Sequence, residues 1–168
     1  MTSTRICLSL CLALVAAAGL SPAAQAPSQR ITWSVTLDPK ADARAPGEKL
    51  TALVTAKIEE GWHVYAPQEL PDGPRGLRVD LVAGGPAETA GAIVSPEPER
   101  DFDEAFSQVT AYYKEAATFR MPLAIKRQAK PGAGSIGFDI AFQACDGRMC
   151  LPGRTVRLTA PVVVARPK

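Results

Sequence analysis

The 168-residue chain carries 19 Lys and Arg against 17 Asp and Glu, for a formal charge of +2, with one histidine and four cysteines. Its basic residues are scattered, which excludes the clustered footprint of a nucleic-acid binder. The length suffices for one domain with a sizeable core. Fifteen prolines and 13 glycines, without long helical periodicity, indicate short strands joined by turns.

Arg5 followed by the apolar run Ile6 to Leu20 has the length of a signal-peptide core rather than of a bilayer span. Residues 1–26 are therefore read as a signal peptide, cleaved after Ala26, or after Ala23 because Pro27 is an awkward following residue. Residues 27–168 are read as a single domain, exported and soluble, since no later segment is apolar enough to cross a membrane. Cys7 and Cys11 leave with the signal. Cys145 and Cys150 then remain as the mature chain's thiol pair, in a compartment where disulfides persist.

Ile31, Trp33, Val35 and Leu37 alternate with polar residues and predict a first strand. Pro39 to Gly47 reads as a loop, Leu50 to Ile58 as a second strand, and Trp62 to Tyr65 as a third. After a Pro/Gly loop, Leu77, Val79 and Leu81 share one strand face, and Ala92 to Val94 is a further candidate. Pro96 to Ser107 is acidic and proline-flanked and reads as irregular, although it holds Phe102 and Phe106. Val109 to Glu115 reads as a strand, with a helical alternative over Ala111 to Thr118.

Phe119, Met121, Leu123 and Ile125 alternate around Pro122, which places that strand at a sheet edge. Lys126 to Gly134 is a polar turn. Ile136, Phe138, Ile140, Phe142 and Ala144 form the clearest alternation, and Val156 to Val164 closes the chain. Seven to nine short strands of this kind predict an all-β fold, an immunoglobulin-like antiparallel β-sandwich.

If Phe138, Ile140 and Phe142 face the core, then Asp139, Ala141, Gln143 and Cys145 face away from it. Cys145 is expected on the outer face or at a strand end, with Asp146-Gly147 in a tight turn and an accessible disulfide to Cys150. Two readings of the pair stand side by side. As a staple it is weak, because closing a six-residue ring stabilises by about 2 kcal/mol. As a redox pair it supplies an attacking and a resolving thiol on one rigid hairpin. Arg148 favours a thiolate there and Asp146 opposes one.

Phe142-Gln143-Ala144-Cys145 and Cys150-Leu151-Pro152 resemble the corresponding hairpin in the amino-terminal periplasmic domain of DsbD-type thiol–disulfide interchange proteins. Gly61-Trp62-His63-Val64-Tyr65-Ala66-Pro67 also resembles stretches of that family, and the similarity covers Ile31 to Val164. It implies a periplasmic immunoglobulin-like domain, linked by family to cytochrome c biogenesis, whose cysteines pass reducing equivalents to substrate proteins. Cys150 matches the cysteine that forms mixed disulfides, and Cys145 the one that resolves them. The family's aromatic cap loop matches Asp103-Glu104-Ala105-Phe106-Ser107, with Phe106 as the cap. The C-x4-C spacing is one residue shorter than in the best-known member, and Gly153 stands where a second proline is common. With no thioredoxin-like or membrane part before Lys168, the expected donor is a separate thioredoxin-like or membrane protein, and the acceptors are periplasmic thiol–disulfide substrates.

No cofactor or metal is expected. His63 has a sharp reading as metal ligand or general base, and a plain one as a strand residue between Trp62 and Tyr65. Trp33, Trp62, Tyr65 and Tyr112 read as core or cross-strand packing rather than a ligand surface. Phe102 and Phe106 read either as a lid over the disulfide or as loop anchors. The alternative function is a non-catalytic immunoglobulin-like domain, binding a protein or ligand, with a structural disulfide.

Overall fold

The alternating apolar stretches become strands in the computed structural model, which describes residues 30–68 and 70–166. The signal-peptide reading of residues 1–26, with Cys7 and Cys11, lies outside the described residues. Among the described residues there are eleven strands and no helix. They are β1 (Ile31–Asp38), β2 (Lys49–Ile58), β3 (His63–Tyr65), β4 (Arg78–Leu81), β5 (Ala87–Thr89), β6 (Glu99–Asp103), β7 (Gln108–Tyr113), β8 (Ala116–Ile125), β9 (Gly132–Phe142), β10 (Ala144–Cys145) and β11 (Arg154–Val164).

Three antiparallel sheets result, with strand orders β1-β2-β8-β5, β11-β9-β4 and β10-β3-β7-β6. The first forms one layer, and the other two share the opposite layer because β9 runs on into β10. Aromatic contacts record the packing between layers. Trp33 of β1 meets Phe142 of β9 at 5.3 Å between ring centroids, and Phe119 of β8 meets Tyr113 of β7 at 5.2 Å. This is the expected antiparallel sandwich of immunoglobulin-like type.

Period-two alternation decides what enters the core. Leu50, Ala52, Val54, Ala56 and Ile58 of β2 are all buried, as are Phe119, Met121, Leu123 and Ile125 of β8. From the other layer come Ile136, Phe138, Ile140 and Phe142 of β9 with Ala160, Val162 and Val164 of β11. Burying each large member stabilises the fold by about 1.5–3 kcal/mol relative to leaving it exposed.

Four expectations are corrected. The segment read as irregular holds β6, an edge strand paired along its length with β7, so Glu99 to Asp103 belong to a hairpin. Ala92 to Val94 is not a strand; Val94 makes only an isolated bridge to Arg120, and the strand at this edge is β5. Ala111 to Thr118 is not helical, because β7 ends at Tyr113 and β8 begins at Ala116.

Pro122 does not mark an edge strand either, since β8 lies between β2 and β5. Its carbonyl accepts a hydrogen bond from Ala90 N at 2.9 Å, so its missing N–H also points to the β5 side. There the neighbouring chain has already left the ladder after Thr89. A proline is tolerated inside the sheet because no acceptor stands opposite it.

Candidate functional site

The cysteine hairpin begins where β9 changes sheets. Phe142 still pairs with Arg154 of β11, Gln143 breaks the ladder, and Ala144 and Cys145 pair instead with Val64 and His63 of β3. Asp146 to Met149 then turn the chain. Asp146 Oδ1 accepts from Arg148 N at 2.7 Å and Met149 N at 2.8 Å, an Asx turn. Those two N–H groups hold the Asp146 carboxyl below its usual range, with smaller help from Arg148 and His63.

The turn is closed further by Asp146 N donating to Met149 O at 2.9 Å and Leu151 N to Ala144 O at 2.9 Å. Gln143 spans the break. Its Nε2 donates to Leu151 O at 3.3 Å and its Oε1 accepts from Arg75 N at 3.0 Å. Across this frame Cys145 and Cys150 are joined by a disulfide, with Cα atoms 4.0 Å apart.

Register separates the two faces of β10. Ala144 lies opposite Val64, and both are buried in the main core. Cys145 lies opposite His63 on the other face, pointing away from that core. Its expected accessibility is nonetheless wrong: Cys145 is 1% exposed. The outer face of this sheet carries a cover of its own, so a side chain turned away from the core still loses solvent. Cys150 is only half-buried, and Met149 beside it is 56% exposed. The two sulfurs are therefore unequal.

The cover is a chain of side chains reaching from β3 to the tip of the β6–β7 hairpin. The His63 ring meets the Tyr65 ring edge-on at 5.0 Å and the Tyr112 ring at 5.1 Å. Tyr65 in turn meets Phe106 edge-on at 5.9 Å. The Tyr65 hydroxyl donates to Asp103 Oδ2 at 2.7 Å, and Asp103 Oδ1 accepts from Ala105 N at 3.0 Å, which folds the tip inward. The Lys114 ammonium sits 4.9 Å from the Tyr112 ring centroid and donates to Glu99 Oε2 at 3.2 Å.

Two titrating groups here are displaced. Burial lowers the His63 pKa; the Asp103 charge opposes that, Lys114 reinforces it and Asp146 opposes it again. The imidazole is therefore held neutral at ordinary pH. Burial pushes the Tyr65 hydroxyl upward, and the bond to Asp103 adds to it. Tyr65 remains a hydrogen-bond donor.

Of the proposed cap residues, Asp103 and Phe106 reach this cover through Tyr65, while Glu104 is exposed at the hairpin tip. Phe102 does not join them. It is 59% exposed, paired with an equally open Val109 across the β6–β7 ladder. Trp33 is a core residue against Phe119 and Phe142, and Trp62 lies beneath the Arg30 guanidinium at 5.2 Å. The sequence did not reveal Thr110, buried beside Asp103 at 3.4 Å, or Gln68, whose amide bonds both the N–H and the carbonyl of Ala111. Among the described residues no group of three or more His, Cys, Asp or Glu is placed to hold a metal, and no helix is long and apolar enough to cross a membrane.

Comparison with known proteins places this geometry in context. The family model described as "Thiol:disulfide interchange protein DsbD, N-terminal" matches residues 34–160. Among solved structures, the chain is similar to the Neisseria meningitidis DsbD N-terminal domain in its reduced form, at 17% identity and a TM-score of 0.46, over 71% of this chain and 77% of that one. It is also similar to the N-terminal periplasmic domain of ScsB from Proteus mirabilis, at 12% identity and a TM-score of 0.50, over 82% of this chain and 48% of that one. At these identities the structural likeness concerns the fold. A comparison with curated proteins finds no match.

Proposed function

The chain belongs to the family of DsbD N-terminal domains, and from that premise we propose that it is a periplasmic thiol–disulfide exchange module working through Cys145 and Cys150. It passes reducing equivalents between a separate thioredoxin-like or membrane donor and periplasmic substrate proteins. Cys150 forms the mixed disulfide and Cys145 resolves it. Asp103 and Phe106 belong to a cap over the pair, with Glu104 at its solvent edge.

The observation that carries this reading is the inequality of the sulfurs. Exchange needs one sulfur a partner can reach and a second held close but out of reach. Cys150 is half-buried beside an exposed Met149, whereas Cys145 is buried opposite His63. A structural bridge of the antibody type sits in the core between sheets, but Cys145 lies outside the main core cluster.

Burial of Cys145 favours a second reading, a non-catalytic sandwich with a structural disulfide. The two readings part on the reduction potential and on trapping. Structural bridges in secreted proteins lie below about −300 mV. Exchange predicts a potential well above that, and a disulfide-linked partner captured by Cys145→Ala through its remaining Cys150. If Cys145→Ala and Cys150→Ala each lower the melting temperature and capture nothing, the exchange reading fails.

A further inference from the structure

The buried Nε2 of His63 has no hydrogen-bond partner. A buried nitrogen of this kind is costly, and native proteins seldom leave one unpaired. His63 stands directly opposite Cys145 across the β3–β10 ladder, on the same outer face. Such cross-strand pairs place their β-carbons about 5 Å apart. In the disulfide neither sulfur carries a proton to donate. In the dithiol Cys145 carries one, and the neighbouring imidazole is the acceptor that lacks a donor.

We infer that His63 accepts the Cys145 thiol proton when Cys145 closes on the mixed disulfide at Cys150. The inference rests on the exchange reading and gives that reaction its proton path. In the first step the Cys150 thiolate attacks a substrate disulfide, one substrate sulfur leaves as thiolate, and a Cys150–substrate bond forms. Cys145 Sγ then gives its proton to His63 Nε2 and attacks Cys150 Sγ. The Cys145–Cys150 bond forms and the Cys150–substrate bond breaks. The second substrate sulfur leaves as thiolate, the proton passes from His63 to it or to water, and two electrons have moved from the pair to the substrate.

Burial makes such a base necessary. A thiol in apolar surroundings holds its proton more tightly than a free one, so Cys145 attacks slowly unless the proton has somewhere to go. The charged and titrating groups around the imidazole are Asp103 from β6, Lys114 after β7 and Asp146 from the cysteine turn, with the Tyr65 and Tyr112 rings against it. The balance leaves His63 neutral, which is the form that accepts a proton.

The test uses the reduced full chain with Cys7→Ala and Cys11→Ala, so that only the pair reacts, mixed with one equivalent of dithiobis-nitrobenzoate. This reagent releases one coloured thiolate when Cys150 attacks and a second when Cys145 resolves. His63→Phe keeps the ring packing and removes the base. It should slow the second release by about a hundredfold at neutral pH, the usual scale of general-base catalysis, and leave the first unchanged. The pH profile of the second release should lose its inflection below about 6.5. His63→Gln, which accepts a hydrogen bond but no proton, should be as slow as His63→Phe.

An unchanged second release in His63→Phe, or its recovery in His63→Gln, overturns the inference. Equal slowing of both releases also overturns it and makes His63 a packing residue. If the chain with His63 intact releases no second thiolate, the exchange reading itself fails, a result separate from any effect of His63.

Discussion

The Tyr65 hydroxyl donates to Asp103 across 2.7 Å, and this one bond ties the tip of the β6–β7 hairpin to the strand that neighbours the disulfide. Tyr65 is buried, so the bond is shielded from water on its phenol side. Tyr65→Phe keeps the ring against His63 and Phe106 and removes only the donor. A hydrogen bond to a charged group contributes about 1.5–3 kcal/mol, and urea unfolding should show a loss of that size. Alkylation of the reduced thiols should also accelerate, because of the two contacts that tie the tip to Tyr65 only the ring contact of Phe106 is then left.

Phe106→Ala separates covering from folding. Phe106 is half-buried and meets Tyr65 edge-on, a contact worth about 0.5–1.5 kcal/mol. The expected outcome is a modest stability loss with a several-fold faster reaction of the reduced thiols with iodoacetamide. Phe102→Ala is the control, and should leave that rate unchanged because Phe102 points outward. A large stability loss at unchanged reactivity would make Phe106 a plain anchor.

His63 makes stability depend on pH. Burial lowers its folded pKa, so below about 6.5 the unfolded chain binds a proton that the folded chain resists. The contribution is fully present above that pH and is lost as pH falls through the folded value. Urea midpoints of the oxidised protein should therefore decline on acidification from about pH 6.5. In His63→Phe the decline over this window should flatten, leaving only the fall due to carboxylates at lower pH.

Gly76→Ala tests how the chain after β3 is held. A β-carbon there would collide with the Gln68 carbonyl oxygen and lie 2.8 Å from Gln68 N and 2.9 Å from Ala66 O. All three are backbone atoms and cannot step aside. Displacing Gln68 would also disturb its paired bonds to Ala111. Overpacking of this sort costs about 1–3 kcal/mol, read as a lower urea midpoint. Gly147→Ala, in the cysteine turn, should be close to neutral, since a β-carbon there meets nothing within 4 Å.

The long sandwich strands were legible because each carries its own record of which face is buried. β2 and β8 alternate over ten residues and β9 over its last seven, and burial follows that pattern. β6 was illegible for the opposite reason. Glu99-Arg100-Asp101-Phe102-Asp103 is an edge strand exposed along nearly its whole length, so only its pairing with β7 defines it. β5 is three residues long with one buried, too short for a period to show.

Within the site, alternation gave the direction of Cys145 but not its burial. The cover is built by His63 and Tyr65, about eighty residues earlier in the chain, which local sequence around the cysteines does not specify. His63 was visible as a possible base only in the abstract. Register is what brought it opposite a sulfur.

The cysteine hairpin is shaped by more than its covalent bond. The Asx turn, the Asp146–Met149 and Leu151–Ala144 backbone bonds and the Gln143 side chain all hold it without involving a sulfur. For the exchange proposed above, such a frame brings Cys145 to Cys150 at the high effective molarity of a fixed intramolecular neighbour. On that proposal, a docked partner's dwell time is set by this chain's own closing step rather than by the partner's grip.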